Sequence, residues 1–96
     1  MKFRLLQAAE HEVAEQVAWY DEQLPGLGAR FLNAVEDSIT RACNLPDLGS
    51  PYLHGTRRVF PRDFPYSVAY RVDSEGIVIV AVAAFARKPG YWGGRR

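Results

Sequence analysis

Arginine and aromatic side chains are concentrated in the second half of this 96-residue chain, and their types could do chemistry. The set consists of Arg57, Arg58, Arg62, Arg71 and Arg87 with Phe60, Phe64, Tyr66, Tyr70, Tyr91 and Trp92. Guanidinium groups bind phosphates and carboxylates, and aromatic faces stack bases or anchor protein interfaces. The pattern predicts a surface for nucleic acid or for acidic protein segments, and both stay open. Alternating Arg and Val is also typical of a protected sheet edge.

Metal and nucleophile chemistry has little support in the sequence. The strong ligand types are His11, His54 and Cys43, and none has another such residue at the spacing of a metal site or a catalytic triad. Cys43 follows Ile39 by four residues, which predicts a buried structural thiol on a helix. We therefore expect no metal, no cofactor and two solvated histidines.

Carboxylate pairs and glycine-rich segments also have ordinary explanations. Glu12 and Glu15, like Glu36 and Asp37, fall on predicted outward helix faces, where they are expected to be solvated rather than catalytic. The PGLG segment lies between two helices, so its glycines serve a turn, and no phosphate-binding loop motif is present in the sequence. Nucleotide cofactors are not expected.

Helical periodicity follows a short opening strand, KFRLLQ, in which apolar and basic residues alternate. The stripe of a first helix, from Ala8 to Leu24, is Val13, Val17, Tyr20 and Leu24. The stripe of a second helix is Leu32, Val35, Ile39 and Ala42. Pro25 and Gly26 end the first helix and Pro46 stops the second, so the two form a hairpin.

The period changes to two beyond a Pro- and Gly-rich loop, PDLGSPYLHG. Three strands are predicted at residues 56–62, 65–72 and 77–85, the last two joined by a turn at residues 73–76. The third is almost wholly apolar, as a strand covered on both faces would be. The tail KPGYWGGRR is expected to lie across the surface. The fold class is α+β: a short N-terminal strand and an antiparallel helix hairpin packed on a small antiparallel sheet.

Length and composition place the chain among single globular domains, spanning residues 1–96. Residues 1–48 hold four basic and eight acidic residues, a net charge of −4, whereas residues 49–96 hold eight and three, a net charge of +5. The surface is therefore expected to be bipolar. No apolar run suits a membrane span or a signal peptide, and one cysteine fits a reducing compartment, so a cytoplasmic location is expected.

Three segments together resemble the RelE/ParE superfamily of type II toxin–antitoxin toxins, in the branch labelled plasmid stabilisation proteins. They are WYDEQLPGLGARF at 19–31, RRVFPRDFPYSVAYRV at 57–72 and AVAAFARKPGYW at 81–92. The resemblance implies a small cytoplasmic toxin, neutralised by an antitoxin encoded beside it. ParE-like members inhibit DNA gyrase without a known nuclease reaction, while RelE-like members cleave messenger RNA on the ribosome.

The ParE-like function is favoured by the charge balance, because a pI near 7.9 is modest for a protein that enters a channel of ribosomal RNA. The alternative, a ribosome-dependent endoribonuclease, would use Arg87 and Tyr91 as catalytic residues. Whether the chain is an enzyme stays open.

Antitoxin binding is implied by the resemblance in either case, since antitoxins wrap such toxins with apolar and acidic side chains. The candidate contacts with the antitoxin or the target are Trp19, Tyr20, Phe31, Arg57, Arg58, Tyr66 and Trp92. A hetero-oligomer with the antitoxin is expected.

One departure from the family pattern lies near the end of the last predicted strand. Relatives commonly carry histidine and arginine where this chain has Ala84 and Ala86. Two residues apart in a strand, they would share one face and leave a small apolar patch beside Arg87. A natural or engineered inactive variant that still binds antitoxin is therefore a third interpretation.

Overall fold

A computed structural model describes residues 1–95 as five strands and two helices. The elements are β1 (Lys2–Leu5), α1 (Gln7–Gln23), α2 (Leu27–Asn44), β2 (Ser50–Pro51), β3 (Arg57–Val59), β4 (Tyr66–Val72) and β5 (Gly76–Ala84). The predicted α+β class, with a helix hairpin on a small sheet, is confirmed. The tail runs on to Arg96, which lies outside the described residues.

The helix hairpin closes tightly because of two glycines. Gly26 precedes α2 with φ at 90°, a left-handed conformation that suits glycine. A Cβ atom on Gly28 would overlap the carbonyl oxygen of Val17, so only glycine lets the two helices approach this closely. The Gly28 N–H also donates to Asp21 Oδ1 at 2.8 Å, which ties the start of α2 to the end of α1.

Strand β5 is the centre of the sheet, whose order is β1-β5-β4-β3-β2. Strands β3 to β5 pair antiparallel, as predicted. Strand β2, in a segment predicted as a loop, pairs antiparallel with β3, and β1 pairs parallel with β5. The sheet is therefore mixed, because the chain returns from the opening strand through the helix hairpin before it enters the meander. Strand β5 is consequently paired by β4 along most of its length and by β1 over Gly76–Ile79, in agreement with its apolar sequence.

A β-bulge in β5 determines which face of the sheet, and so which of two hydrophobic cores, each of its side chains joins. Ala69 of β4 pairs with Ala81, but the next residue, Tyr70, pairs with Ile79, so Val80 is the extra residue. The helices cover one face, where Phe31, Val35, Ile39, Tyr70, Ile77, Ile79 and Val82 form the larger core. The C-terminal tail covers the other face, where Leu6, Ala69, Val78, Val80, Ala81 and Trp92 form a smaller one. The tail thus lies across the sheet as predicted and supplies its second cover.

Several predicted boundaries are wrong for identifiable reasons. The segment 46–55, predicted as a loop, contains strand β2 and a short 3-10 turn at Leu53–Gly55. Strand β2 forms because Ser50 and Pro51 pair with the start of β3 at the sheet edge, where proline is tolerated. Strand β3 ends at Val59 rather than residue 62, before Pro61, which lacks an N–H for pairing.

The prediction that Ala84 and Ala86 share one strand face is also wrong. Strand β5 ends at Ala84, which packs against the helix-side core, and a turn follows in which the Arg87 N–H donates to the Ala84 carbonyl at 3.0 Å. Ala86 is exposed in that turn. The two alanines therefore do not form a single apolar patch.

Neither helix of the described residues combines the length and the apolar character that crossing a membrane requires.

Candidate functional site

A pocket of about 170 Å³ lies on the tail side of the sheet. We call it the tail-side pocket; among its lining residues are Tyr52, Arg58, Ser67, Arg87, Lys88 and Trp92. The sheet positions these side chains: Arg58 projects from β3, and Ser67 lies on the face of β4 opposite to the buried Tyr66 and Val68. The lining includes three cationic side chains and no acidic one. The pocket therefore suits a negatively charged group.

Aromatic rings hold two of these cations in place. The Arg58 guanidinium carbon lies 4.0 Å from the ring centroid of Tyr52 and 5.2 Å from that of Phe60. The Arg87 guanidinium carbon lies 4.1 Å from the ring centroid of Tyr91. Such cation–π contacts restrict flexible side chains without neutralising them. Both arginines thus keep their charge available to a partner.

Tyr91 itself faces a carboxylate. Its hydroxyl donates a hydrogen bond to Glu12 Oε2 of α1. Burial raises the pKa of Tyr91 above its ordinary value, and the hydrogen bond to Glu12 raises it further. The hydroxyl therefore stays protonated and engaged at neutral pH.

A second feature, an apolar groove, runs along α1 on the helix side. Its volume is about 590 Å³, and we call it the α1 groove; it is lined by Leu5, Glu10, Val13, Ala14, Val17, Ala18, Asp21 and Leu32. The floor is apolar, and Glu10 and Asp21 supply one acid towards each end of α1. An amphipathic helix with basic flanks fits such a groove.

Comparison with known proteins gives a consistent result. The sequence model described as "ParE toxin of type II toxin-antitoxin system, parDE" matches residues 3–88. The chain belongs to the ParE toxin family. Toxin ParE2 of Mycobacterium tuberculosis, from strains CDC 1551 and H37Rv, is 30% identical over 82 residues, which are 84% of this chain and 78% of the relative. The chain is thus a ParE-family toxin of a type II toxin–antitoxin system.

The fold has a solved counterpart. A structure described as the chromosomal ParDE TA system from P. aeruginosa superposes with a TM-score of 0.67 at 21% identity, covering 88% of this chain and 95% of the other. The likeness agrees with the helix hairpin on a sheet described above.

The hairpin aromatics predicted as contacts of this ParE-family chain divide into exposed and buried ones. Trp19 is 51% exposed and packs edge-on against Tyr20 at 5.0 Å between ring centroids. Tyr20 is half-buried, and Phe31 and Tyr66 are buried in the helix-side core. Tyr66 donates to Gln16 Oε1 at 2.5 Å. Phe31 and Tyr66 therefore pack the hairpin onto the sheet, and Trp19 is the ring presented to solvent.

The predicted sheet-side contacts also differ in exposure. Arg57 donates to the Gly49 carbonyl at 2.8 Å and lies 3.8 Å from Asp47, so it secures the loop before β2. Arg58 lines the tail-side pocket. Trp92 is 3% exposed and belongs to the smaller core, where it packs against Tyr52 at 5.5 Å between ring centroids. The structure therefore brings Arg58, Arg87 and Trp92 to one pocket, whereas Arg57 pairs with Tyr70 and so lies on the opposite face of the sheet.

Glu12 was expected on an outward helix face, and this prediction is wrong. Its carboxylate accepts hydrogen bonds from Arg95 Nη1 at 2.8 Å and from the Val82 N–H at 3.0 Å. Its side chain is only 13% exposed. One signal was available in the sequence: Glu12 lies three residues after the buried Ala9 and so borders the buried stripe.

The cysteine and the two histidines occupy the structural environments predicted for them. Cys43 is buried, as predicted, and His11 is exposed, with Nε2 2.8 Å from Glu15 Oε1. His54 is exposed and shares a 3.1 Å hydrogen bond with the Gly90 carbonyl. Within residues 1–95, no group of three His, Cys, Asp or Glu side chains could hold a metal ion.

Proposed function

We propose that this ParE-family chain inhibits DNA gyrase in the cytoplasm and is neutralised by a cognate protein antitoxin that binds the α1 groove. The observation that carries the proposal is the family match over residues 3–88, which includes both helices and nearly the whole sheet. The gyrase target follows from the ParE-like branch. The antitoxin is also supported by the structural counterpart, which is described as a ParDE system.

The α1 groove supports helix docking by its composition. Ala14 and Ala18 are exposed and small, so a partner backbone can approach α1 closely, and Val17 is half-buried between them. Apolar side chains of an amphipathic helix would fill the floor, and basic side chains would meet Glu10 and Asp21. The acidic first half of the chain thereby acquires a specific role in recognition.

The Tyr91 environment supports a non-enzymatic mechanism. General acid–base catalysis needs a group that exchanges a proton near neutral pH. The Tyr91 hydroxyl is engaged with Glu12, and its raised pKa disfavours proton release. Arg87 stacks on the same ring and can stabilise negative charge but not accept a proton. The pair is better arranged for binding than for proton transfer.

A supercoiling assay with purified gyrase tests this function. The full chain is expected to inhibit ATP-dependent supercoiling of relaxed plasmid, and pre-incubation with the cognate antitoxin should restore supercoiling. Unchanged supercoiling at a large molar excess of the chain would contradict the gyrase target.

The second candidate, a RelE-like endoribonuclease, is favoured by one observation. Arg58, Arg87 and Lys88 line one pocket, and several cations are what a phosphorane-like transition state requires. Cell-free translation with mapping of RNA ends separates the two functions. Cuts in messenger RNA at codon boundaries would favour the ribonuclease, whereas intact RNA together with lost supercoiling would favour the gyrase inhibitor. Gain of cleavage in the double variant Ala84→His, Ala86→Arg would indicate an inactive ribonuclease.

A further inference from the structure

Two exposed phenylalanine rings meet where β3 and β5 end. Phe60 follows β3 and Phe85 follows β5, and their ring centroids lie 6.0 Å apart in an edge-on arrangement. Phe60 is 42% exposed and Phe85 is 59% exposed. Leu48, which is also exposed, shares with Phe60 an open pocket of about 160 Å³. We call Leu48, Phe60 and Phe85 the Phe60–Phe85 patch. Neighbouring apolar side chains in solvent are typical of a protein interaction site.

The Phe60–Phe85 patch is held in a fixed conformation. Residues 60–65 read FPRDFP, and the two prolines restrict the backbone that follows the first ring. Arg41 Nη2 of α2 donates to the Phe60 carbonyl at 3.1 Å, and the Phe85 N–H donates to the Pro65 carbonyl at 2.9 Å. Hydrogen bonds from another part of the chain therefore fix the backbone at both rings. A surface that is ordered before binding loses less conformational entropy when a partner docks.

Cations without an acidic partner surround the patch. Residues 58–65 and 85–88 hold four basic side chains and one acidic side chain, Asp63, which gives a net charge of +3. The four basic residues are Arg58, Arg62, Arg87 and Lys88. In the described part of the chain, none of the four forms a salt bridge. The Arg58 guanidinium carbon lies 5.2 Å from the ring centroid of Phe60, so positive charge borders the patch directly. A partner must bring acidic groups together with apolar ones, whereas a second copy of this chain would set cations against cations.

The patch is better arranged for a protein than for a nucleic acid. Bases stack on free aromatic faces. Here Phe85 packs edge-on against Phe60, and the Arg58 guanidinium lies over the Phe60 ring, so these faces are partly occupied. Leu48 and Val59, which line the pocket beside Phe60, have no ring on which a base could stack. An apolar side chain of a protein fits such a pocket, and carboxylates beside it can pair with arginine.

We propose that the Phe60–Phe85 patch binds gyrase, through a gyrase segment in which acidic side chains flank apolar ones. This inference rests on the proposed function and adds the toxin surface that contacts the target. An apolar side chain of the segment enters the pocket beside Leu48 and Phe60, and its carboxylates pair with Arg58 and Arg62. Among the described residues, the lining of the α1 groove includes no residue of the patch, so changes to the patch leave the proposed antitoxin site intact.

Supercoiling assays with patch variants test the proposal. The double variant Phe60→Ser, Phe85→Ser removes both exposed rings, and the toxin concentration for half-inhibition of gyrase should rise on the order of tenfold. Phe3→Ser is the matched control, because Phe3 is a ring on β1 that is 52% exposed and lies outside the patch. It should inhibit gyrase like the wild type. Arg62→Glu should weaken inhibition, whereas Arg30→Glu, at an exposed position of α2, should not.

Antitoxin affinity and urea denaturation of the same variants separate loss of the patch from loss of the fold. The double variant should unfold at a urea concentration close to that of the wild type and bind the cognate antitoxin with unchanged affinity. The proposal is overturned if the double variant inhibits gyrase as strongly as the wild type, or if Phe3→Ser loses as much inhibition. It is also overturned if a folded double variant loses antitoxin affinity to the same degree, since the patch then belongs to the antitoxin.

A peptide titration of the wild-type chain distinguishes failure of this inference from failure of the gyrase target. The peptide alternates glutamate with phenylalanine and leucine, and two control peptides replace either its glutamates by lysine or its apolar residues by serine. Amide NMR signals of Phe60, Arg62 and Phe85 in the isotope-labelled chain should shift saturably, with each control binding on the order of fivefold more weakly. No shift at these residues, or equal binding of the lysine peptide or of a single-stranded oligonucleotide, overturns the inference without any variant. If the peptide binds but the wild-type chain leaves supercoiling unchanged, the gyrase target is wrong, whereas the patch and the chemistry of its partner stand.

Discussion

The Glu12 carboxylate and the Arg95 guanidinium lie 2.8 Å apart, although 83 positions separate them in the sequence. The same carboxylate accepts the Val82 N–H at 3.0 Å and the Tyr91 hydroxyl. One acidic side chain therefore joins α1, the central strand and the tail. Because Trp92 lies between Tyr91 and Arg95, this network holds its indole over the sheet and shapes the tail-side pocket.

Replacing Glu12 by alanine should destabilise the fold strongly. The substitution removes a partly buried ion pair and leaves the Val82 N–H without its acceptor, and together these cost about 3 kcal/mol of unfolding free energy. Urea denaturation followed by tryptophan fluorescence measures the loss. Glu15→Ala is the matched control, because Glu15 is 62% exposed and pairs with the exposed His11, so its effect should stay within about 0.5 kcal/mol. Equal effects of the two variants would contradict the role assigned to Glu12.

Gly28→Ala should also be costly, for a steric reason. The new Cβ atom would overlap the Val17 carbonyl oxygen, a backbone atom that cannot move without parting the helices. We expect a loss of about 3 kcal/mol in the free energy of unfolding, at the upper end for overpacking. Gly94→Ala is the control, because a Cβ atom added there would meet nothing within 4 Å and φ at Gly94 is ordinary. Denaturation midpoints of the two variants give the comparison, and a stable Gly28→Ala variant would show that the hairpin can open at little cost.

The helix hairpin and the meander could be predicted from the sequence because both depend on local patterns. The stripe Leu32, Val35, Ile39 and Ala42 repeats with helical period, and three of these residues are buried in α2. The parallel pairing of β1 with β5 could not be predicted, because it joins residues more than seventy positions apart and no local pattern encodes it. The bulge at Val80 was hidden for a similar reason, since an almost wholly apolar strand shows no alternation to interrupt.

The residues of the candidate site were likewise predictable from the sequence only where residue type was a sufficient signal. Arg58, Arg87 and Trp92 were recognisable by type, and the structure brings them to one pocket. Ser67 and Glu12 were missed because their importance depends on which face they occupy after folding. Neighbouring positions on α1 point in different directions, so a small change in helix orientation would leave the Glu12 carboxylate in solvent instead of facing the tail. Tertiary contacts, rather than residue type, determine such roles.

Stability should fall at alkaline pH because of two tyrosines. Burial raises the pKa of Tyr66 and of Tyr91 above the ordinary value of about 10, and the hydrogen bond to Glu12 adds to the effect at Tyr91. The folded state then keeps protons that the unfolded state releases, so the contribution is complete below about pH 10 and is lost as the pH rises towards the folded pKa. Urea denaturation between pH 8 and 11 should show the decline, and it should be shallower in Tyr91→Phe. If the free energy of unfolding declines with pH as steeply in Tyr91→Phe as in the wild type, Tyr91 is not the cause of the decline.

Antitoxin binding should depend on the floor of the α1 groove. Ala18 is exposed and lines this groove, so Ala18→Arg should fold normally yet place a long charged side chain where the partner helix packs. We expect the affinity for the cognate antitoxin to fall by on the order of 100-fold in isothermal titration calorimetry, as for a blocked interface centre. Ala29→Arg, at an exposed position of α2, adds the same charge outside the groove and should bind the antitoxin like the wild type. In the supercoiling assay, inhibition by Ala18→Arg should resist rescue by antitoxin, because the antitoxin no longer binds the altered groove. Wild-type antitoxin affinity in Ala18→Arg would place the antitoxin elsewhere on the toxin.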